Sequence, residues 1–180
     1  MQGDNQQKMQ LRVDSQPEIE SRIKSLDELS ELVENARARA ETIVTTNGAF
    51  DILHFGHMVT LYESKRLGDL LIVGVNSDES VRSYKSPDRP INPQEMRIRA
   101  VAAVGCVDYV FLFDEDTPIS WIEQLRPDIH TTGASYGEHP IEREAVENCG
   151  GRIHLVPMLE NLSTSAIIGR ILRVYGPKDD

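Results

Sequence analysis

From residue 42 onward, short runs rich in Val, Ile and aromatic residues alternate strictly with helix-length runs, and this leaves few folds open. The strand candidates are 42–47, 70–76, 109–113, 129–132 and 152–157. They are short and rich in Val, Ile and aromatic residues, as strands buried on both faces tend to be. The helix candidates are 56–67, 93–104, 118–125, 141–148 and 163–174, with Pro93 and Pro118 suited to first-turn positions. Such alternation predicts an α/β protein: one doubly wound parallel sheet of about five strands with helices on both faces. Ahead of it, Ile19, Ile23, Leu26, Leu29, Leu32 and Val33 recur at three- and four-residue steps, so 17–41 is a helical lead-in. Ser25 and Glu28 have capping-box spacing, which predicts a break near Ser25. Residues 1–16 are polar and Gln-rich without periodicity and read as a disordered tail. No internal repeat or interdomain linker interrupts 42–176, which forms the main domain.

A length of 180 residues allows one domain with a sizeable core. The formal net charge of -10 argues against a general nucleic-acid binder, because such affinity comes largely from Lys and Arg. A small phosphorylated ligand stays open wherever basic residues gather. No apolar run approaches the roughly 18 residues that span a bilayer. The N-terminus, MQGDNQQKMQ, lacks the apolar segment of a secretory signal. The expected location is therefore cytoplasmic, with no membrane partner. Cys106 and Cys149 lie far apart, form no CxxC pair, and read as reduced buried thiols.

The stretch TNGAFDILHFGH, residues 46–57, sits where the first strand hands over to the first following helix. That junction is where α/β sheets bind phosphates. Thr46, Asn47, Gly48, Ala49, Phe50 and Asp51 follow the strand, and the small Gly48 and Ala49 let backbone N–H groups approach an anion. Gly56 opens the helix with no side chain in the way. The helix start adds N–H donors and partial positive charge. His54 and His57 can then donate hydrogen bonds to phosphate oxygens as charge builds up. Taken singly, each histidine also reads as structural. As a metal set, Asp51, His54 and His57 lack the HExxH register and a further evident ligand, so no protein-held metal is expected. No GxGxxG follows the first strand, which argues against hydride transfer.

Two further segments bear on phosphate. Residues 81–99 hold Arg82, Lys85, Arg89, Arg97 and Arg99 against Asp88 and Glu95, a positive island in an acidic chain. Within it, 83–92 (SYKSPDRPIN) is the longest loop-like stretch, stiffened by Pro87 and Pro90. A basic loop is most simply a solvated face; at the ligand edge it would also attract a polyanion. LSTSAII, residues 162–168, opens the last helix with Ser163 as N-cap and Thr164 and Ser165 in the first turn. This reads either as ordinary capping or as a second helix start facing phosphate oxygens.

Together these motifs resemble the nucleotidyltransferase family marked by HxGH and a late STT-type helix start. Within it the chain looks most like the adenylyltransferase domain of ADP-heptose synthase. The likeness rests on 46–57, LGDLLIVGVNSDESVR (67–82), YKSPDRPINPQEMR (84–97), VDYVFLFDEDTP (107–118) and LSTSAII, in that order. It covers roughly 23–175.

The resemblance implies a Rossmann-like fold and transfer of AMP from ATP to a sugar 1-phosphate, with pyrophosphate released. It implies His54, His57 and Lys85 as the catalytic set. It implies residues 46–51, Gly56, Arg89, Arg97 and Ser163–Ser165 at the nucleotide, and Asn76, Gly133 and Tyr136 at the acceptor. The family uses Mg²⁺, carried mainly by the nucleotide phosphates. Its members are often dimeric, and the lead-in helix is a candidate contact for a homodimer. The chain departs from the family pattern at TTGASYG (131–137). Thr132 stands where a Lys is expected and Ser135 where an Asp is. Residues 158–161 lack the Arg that cytidylyltransferases carry before the late motif, which favours ATP over CTP. Two alternatives remain: a cytidylyltransferase acting on an alcohol phosphate such as glycerol 3-phosphate, and a non-catalytic nucleotide-binding module.

Overall fold

The computed structural model describes residues 16–134, 140–157 and 162–176. The expectations for residues 1–15, for Ser135, Tyr136 and Gly137, and for 158–161 lie outside the described residues.

Five parallel strands form the sheet: β1 (Ile43–Gly48), β2 (Leu70–Asn76), β3 (Tyr109–Phe113), β4 (Ile129–Gly133) and β5 (Arg152–Val156). Their order is β3-β2-β1-β4-β5. The helices are α1 (Pro17–Glu20), α2 (Leu26–Ala38), α3 (Phe55–Lys65), α4 (Asp78–Tyr84), α5 (Gln94–Ala102), α6 (Ile119–Leu125), α7 (Arg143–Asn148) and α8 (Thr164–Tyr175). The doubly wound α/β sheet expected from the alternation is present.

Each face of the sheet carries its own core. On one, Val44, Leu71, Val73 and Val75 pack with Leu61 of α3 and Ile98 and Val101 of α5. On the other, Ile43, Ile72 and Phe111 pack with Leu29 and Val33 of α2, Trp121 and Ile122 of α6 and Val146 of α7. The lead-in therefore shares this core with the later helices. Burying a side chain such as Leu29 contributes roughly 1.5–3 kcal/mol, so α2 is held by packing. The break at Ser25 is present as a capping box: the Glu28 N–H donates to Ser25 Oγ at 3.3 Å, and the Ser25 N–H to the Glu28 carboxylate at 2.8 Å. Just before it, Lys24 N–H donates to Val110 O and Val110 N–H to Arg22 O, both at 2.9 Å. This parallel bridge covers part of the edge of β3, which would otherwise be open to pairing.

Some boundaries differ from expectation. Pro93 and Pro118 are N-caps of α5 and α6, one residue outside the first turn. Helix α4 was not expected, because Val81 is its only core-type residue and gives no periodicity. Its signal is local: Ser77 Oγ accepts from the Ser80 N–H, and Asp78 and Glu79 lie in the first turn. The basic loop consequently begins at Lys85, the C-cap of α4.

The order of connection reverses between β1 and β4. In open α/β sheets the crevice at the carboxyl ends of such strands receives ligands.

Candidate active site

The chain leaves β1 through Gly48 and Ala49 and turns at Phe50, whose φ of 47° is left-handed. A bulky residue holds that conformation only when its surroundings fix it. Here Phe50 is buried, and its ring lies 5.3 Å from that of His57. The turn aims the chain into α3, with His54 as the N-cap and His57 in the first turn. The His54 N–H donates to His57 Nδ1 at 3.3 Å, and the two imidazoles stack with centroids 3.9 Å apart. Gly56 leaves little room for a side chain there. A Cβ on it would meet the His54 ring at 3.0 Å and the Leu162 carbonyl at 3.4 Å. The starts of α3 and α8 thus meet at one point.

Below α3, hydroxyls tie the strands together. Thr46 Oγ1 donates to the Thr131 carbonyl at 2.9 Å, and Ser64 Oγ lies 2.6 Å from Thr131 Oγ1. These buried bonds leave no slack between β1, β4 and the helix that carries the histidines.

The carboxyl ends of the strands open into a cleft of about 840 Å³. Its wall includes Thr46, Asn47, Gly48, Ala49, Phe50, Asp51, His54, Gly56 and His57. Asn76, Lys85, Arg89, Gly133, Ser163, Thr164 and Ser165 complete the expected set. The sequence had not marked Thr60, Tyr84, Asp116, Glu142 or Pro157 as lining residues. No local pattern singles out Glu142; only the return of the chain to the cleft after β4 places it. A second groove of about 620 Å³ lies at the opposite pole, by the amino ends of β2 and β3, away from these groups.

Not every expected ligand stands in the same way. Arg97 is not on the cleft wall. It is buried behind the wall and donates to the carbonyls of Asn92 and Ala49 and to Asp78, the last at 2.9 Å. Asp51 faces the cleft, but its carboxylate holds Arg89, with Nη2 at 2.7 Å. Asn76 and Gly133 end β2 and β4, on opposite flanks of β1. Ser163 Oγ accepts from the Ala166 N–H at 3.1 Å and so caps α8. Thr132, found where the family pattern has a Lys, is on the wall as a neutral hydroxyl.

The electrostatics favour neutral imidazoles beside a cationic rim. Burial, then His54 and Lys85, push the His57 pKa down to about 4. Burial also lowers that of His54. Lys85 is on the exposed rim, yet the cleft around its ammonium, and then Arg89, hold its pKa below the ordinary value. Burial raises the pKa of Glu142. Among the described residues, no group of three or more His, Cys, Asp or Glu side chains is placed to hold a metal ion. No helix among them is long and apolar enough to cross a membrane.

A family model described as cytidylyltransferase-like matches residues 45–171. The Bifunctional protein HldE of Syntrophotalea carbinolica is 45% identical over 159 residues, covering 88% of this chain and 32% of that protein. Its counterpart from Geobacter metallireducens is 44% identical over 158 residues, covering 87% and 32%. The chain therefore spans about a third of the length of these curated relatives. Among solved structures, the lipopolysaccharide core biosynthesis protein from Thermoplasma volcanium GSS1 superposes with a TM-score of 0.56 at 30% identity, covering 66% of this chain and 97% of that one.

Proposed function

The chain belongs to the cytidylyltransferase-like family of nucleotidyltransferases, and on that premise we propose that it transfers AMP from ATP to a sugar 1-phosphate, specifically a heptose 1-phosphate. One observation carries the reading. The stacked pair His54 and His57, the cations Lys85 and Arg89, and the hydroxyl-bearing start of α8 all line one cleft. The likeness of segments 46–57, 67–82, 84–97, 107–118 and 162–168 to the adenylyltransferase domain of ADP-heptose synthase supports an adenylyl donor and a sugar acceptor.

In this mechanism a phosphate oxygen of the acceptor attacks the α-phosphorus of ATP in line. A new P–O bond forms as the bond from the α-phosphorus to the bridging oxygen breaks, and its electron pair leaves with pyrophosphate. No protein nucleophile takes part, so catalysis is positioning plus charge stabilisation. With Nδ1 of His57 accepting from the His54 amide, its proton resides on Nε2. That N–H is the donor for the non-bridging α-phosphate oxygens, where charge grows. Lys85 and Arg89 bind the phosphates as point charge and planar fork. Free N–H groups at the start of α8, with Thr164 and Ser165, receive the β- and γ-phosphates. Asn76 and Gly133, on the cleft wall at the ends of β2 and β4, are assigned to the acceptor.

Magnesium enters as part of the MgATP substrate. Asp51 is committed to Arg89, and Asp116 accepts from Ser83 Oγ at 2.6 Å. The family description makes CTP with an alcohol phosphate the second reading. We place the reaction in the cytoplasm and assign it to 42–176, with the lead-in as part of the same folded unit.

The test is pyrophosphate release from ATP or CTP against a panel of sugar 1-phosphates and glycerol 3-phosphate. ATP with a heptose 1-phosphate is expected to give the highest kcat/KM. A preference for CTP would favour the second reading, and no release with any pair would refute both.

A further inference from the structure

Asp51 is almost fully buried beside the cleft, and its carboxylate is occupied by donors from one segment. Oδ2 accepts from Arg89 Nε at 2.8 Å and from Nη2 at 2.7 Å. Oδ1 accepts from the backbone N–H groups of Ile91 at 2.8 Å and Asn92 at 2.9 Å. The Asn92 side-chain amide returns to the Asp51 carbonyl. A carboxylate has about four acceptor positions, and these contacts fill them. Little capacity is left for a nucleotide or its metal ion.

The donors all lie in the loop between α4 and α5, which also carries Lys85. Arg97 locks the same loop from behind, holding the Asn92 and Ala49 carbonyls together. Arg89 meets Asp51 with one edge of its guanidinium, and its remaining N–H donors belong to a side chain that lines the cleft. The pairing lowers net positive charge near the phosphates, so its gain is orientation. Burial disfavours the ionised carboxylate, but the Asn92 and Ile91 amides and the Arg89 charge outweigh it and hold its pKa below the ordinary value.

We propose that Asp51 is a positioning residue, not a nucleotide ligand: it fixes the basic loop so that Arg89, and with it Lys85, meets the triphosphate in one preset geometry. This rests on the nucleotidyltransferase function proposed above. An Asp placed three residues after a phosphate-binding strand would otherwise read as a direct or metal-bridged contact, and the two roles differ in how they couple to Arg89.

The experiment is a double-mutant cycle on the full chain, with the dissociation constant for MgATP read by titration calorimetry and kcat by pyrophosphate release. Asp51→Asn keeps an oxygen for the loop amides but removes the charge facing Arg89. Both Asp51→Asn and Arg89→Gln are expected to weaken MgATP binding about tenfold or more, the range for a lost charge-assisted hydrogen bond. The double variant should bind no more weakly than Arg89→Gln alone, and the Mg²⁺ dependence of Asp51→Asn should match the wild type. Asn92→Ala, which loosens the loop without touching the carboxylate, should weaken binding in the same direction and covers the case in which Asp51→Asn does not fold. Multiplying effects in the double variant, a shifted Mg²⁺ dependence in Asp51→Asn, or wild-type affinity in Asn92→Ala would overturn the proposal. Wild-type protein that binds no nucleoside triphosphate would overturn the function itself, a result separable from failure of the cycle.

Discussion

The imidazole rings of His54 and His57 lie stacked, with centroids 3.9 Å apart and planes 21° from parallel, while the His54 amide N–H donates to His57 Nδ1. Two rings at that distance resist becoming cations together. The arrangement therefore supplies neutral donors to an incoming phosphate, and the nucleotide brings the negative charge that strengthens them.

Replacing His57 by Ala should lower kcat about a hundredfold, the usual loss for one transition-state donor. The KM for ATP should change much less. Steady-state pyrophosphate release checks this, and near-normal turnover would remove His57 from the mechanism.

His57 also makes a pH prediction. Its pKa falls from an ordinary 6.5 to about 4 in the folded chain, chiefly through burial. The unfolded chain therefore takes up this proton first as pH falls. Stability contributed by neutral His57 is complete above about pH 6.5 and is lost between 6.5 and 4. His130, buried against Thr45 and lowered to about 3, acts in the same direction. Urea denaturation across this window should show the loss, reduced in His57→Gln. Imidazole NMR should show no titration of His57 between roughly pH 5.5 and 8, since its midpoint lies well below that range.

Glu142 should behave in the opposite sense. Burial raises its folded pKa above the ordinary 4.5, so the unfolded chain ionises first as pH rises. Wild type then loses stability above about pH 4.5 relative to Glu142→Gln, with no difference at lower pH. Parallel melting curves of the two proteins at pH 4 and pH 7 would reveal this. Equal gaps at both values would remove the buried-carboxylate account.

Gly56→Ala should impair catalysis more than folding. The added Cβ would stand 3.0 Å from the His54 ring and displace it from its stack on His57. A misplaced catalytic group costs about tenfold or more in kcat. Alanine is otherwise a good helix residue at that position, so the melting temperature should move little. A normal kcat would show that the stacked geometry is not needed.

Much of the fold was legible because the strand segments are short, most are rich in Val, Ile and aromatic residues, and helix-length runs separate them; β5, at the sheet edge, is only partly buried. Helix α4 was not, since DESVRSY has one core-type residue and declares itself only through the Ser77 cap. At the site, HFGH and the strand before it marked the phosphate end of the cleft, since chain position alone sets the start of α3. Arg97 shows the limit. As a charge in a basic stretch it resembled Arg89, but the turn of α5 carries it behind the wall, where three protein acceptors take it. Asp51 shows the same limit from the other side: its partners lie 38 to 41 residues away, and no local spacing reports them.

The central claim is that the α-phosphoryl group moves, and isotope position tests it most directly. With [α-³²P]ATP and a heptose 1-phosphate, the label should appear in a nucleotide-sugar, while label from [γ-³²P]ATP should leave as pyrophosphate. Transfer of γ-label to the sugar, or no transfer of α-label to any sugar 1-phosphate, would contradict the account.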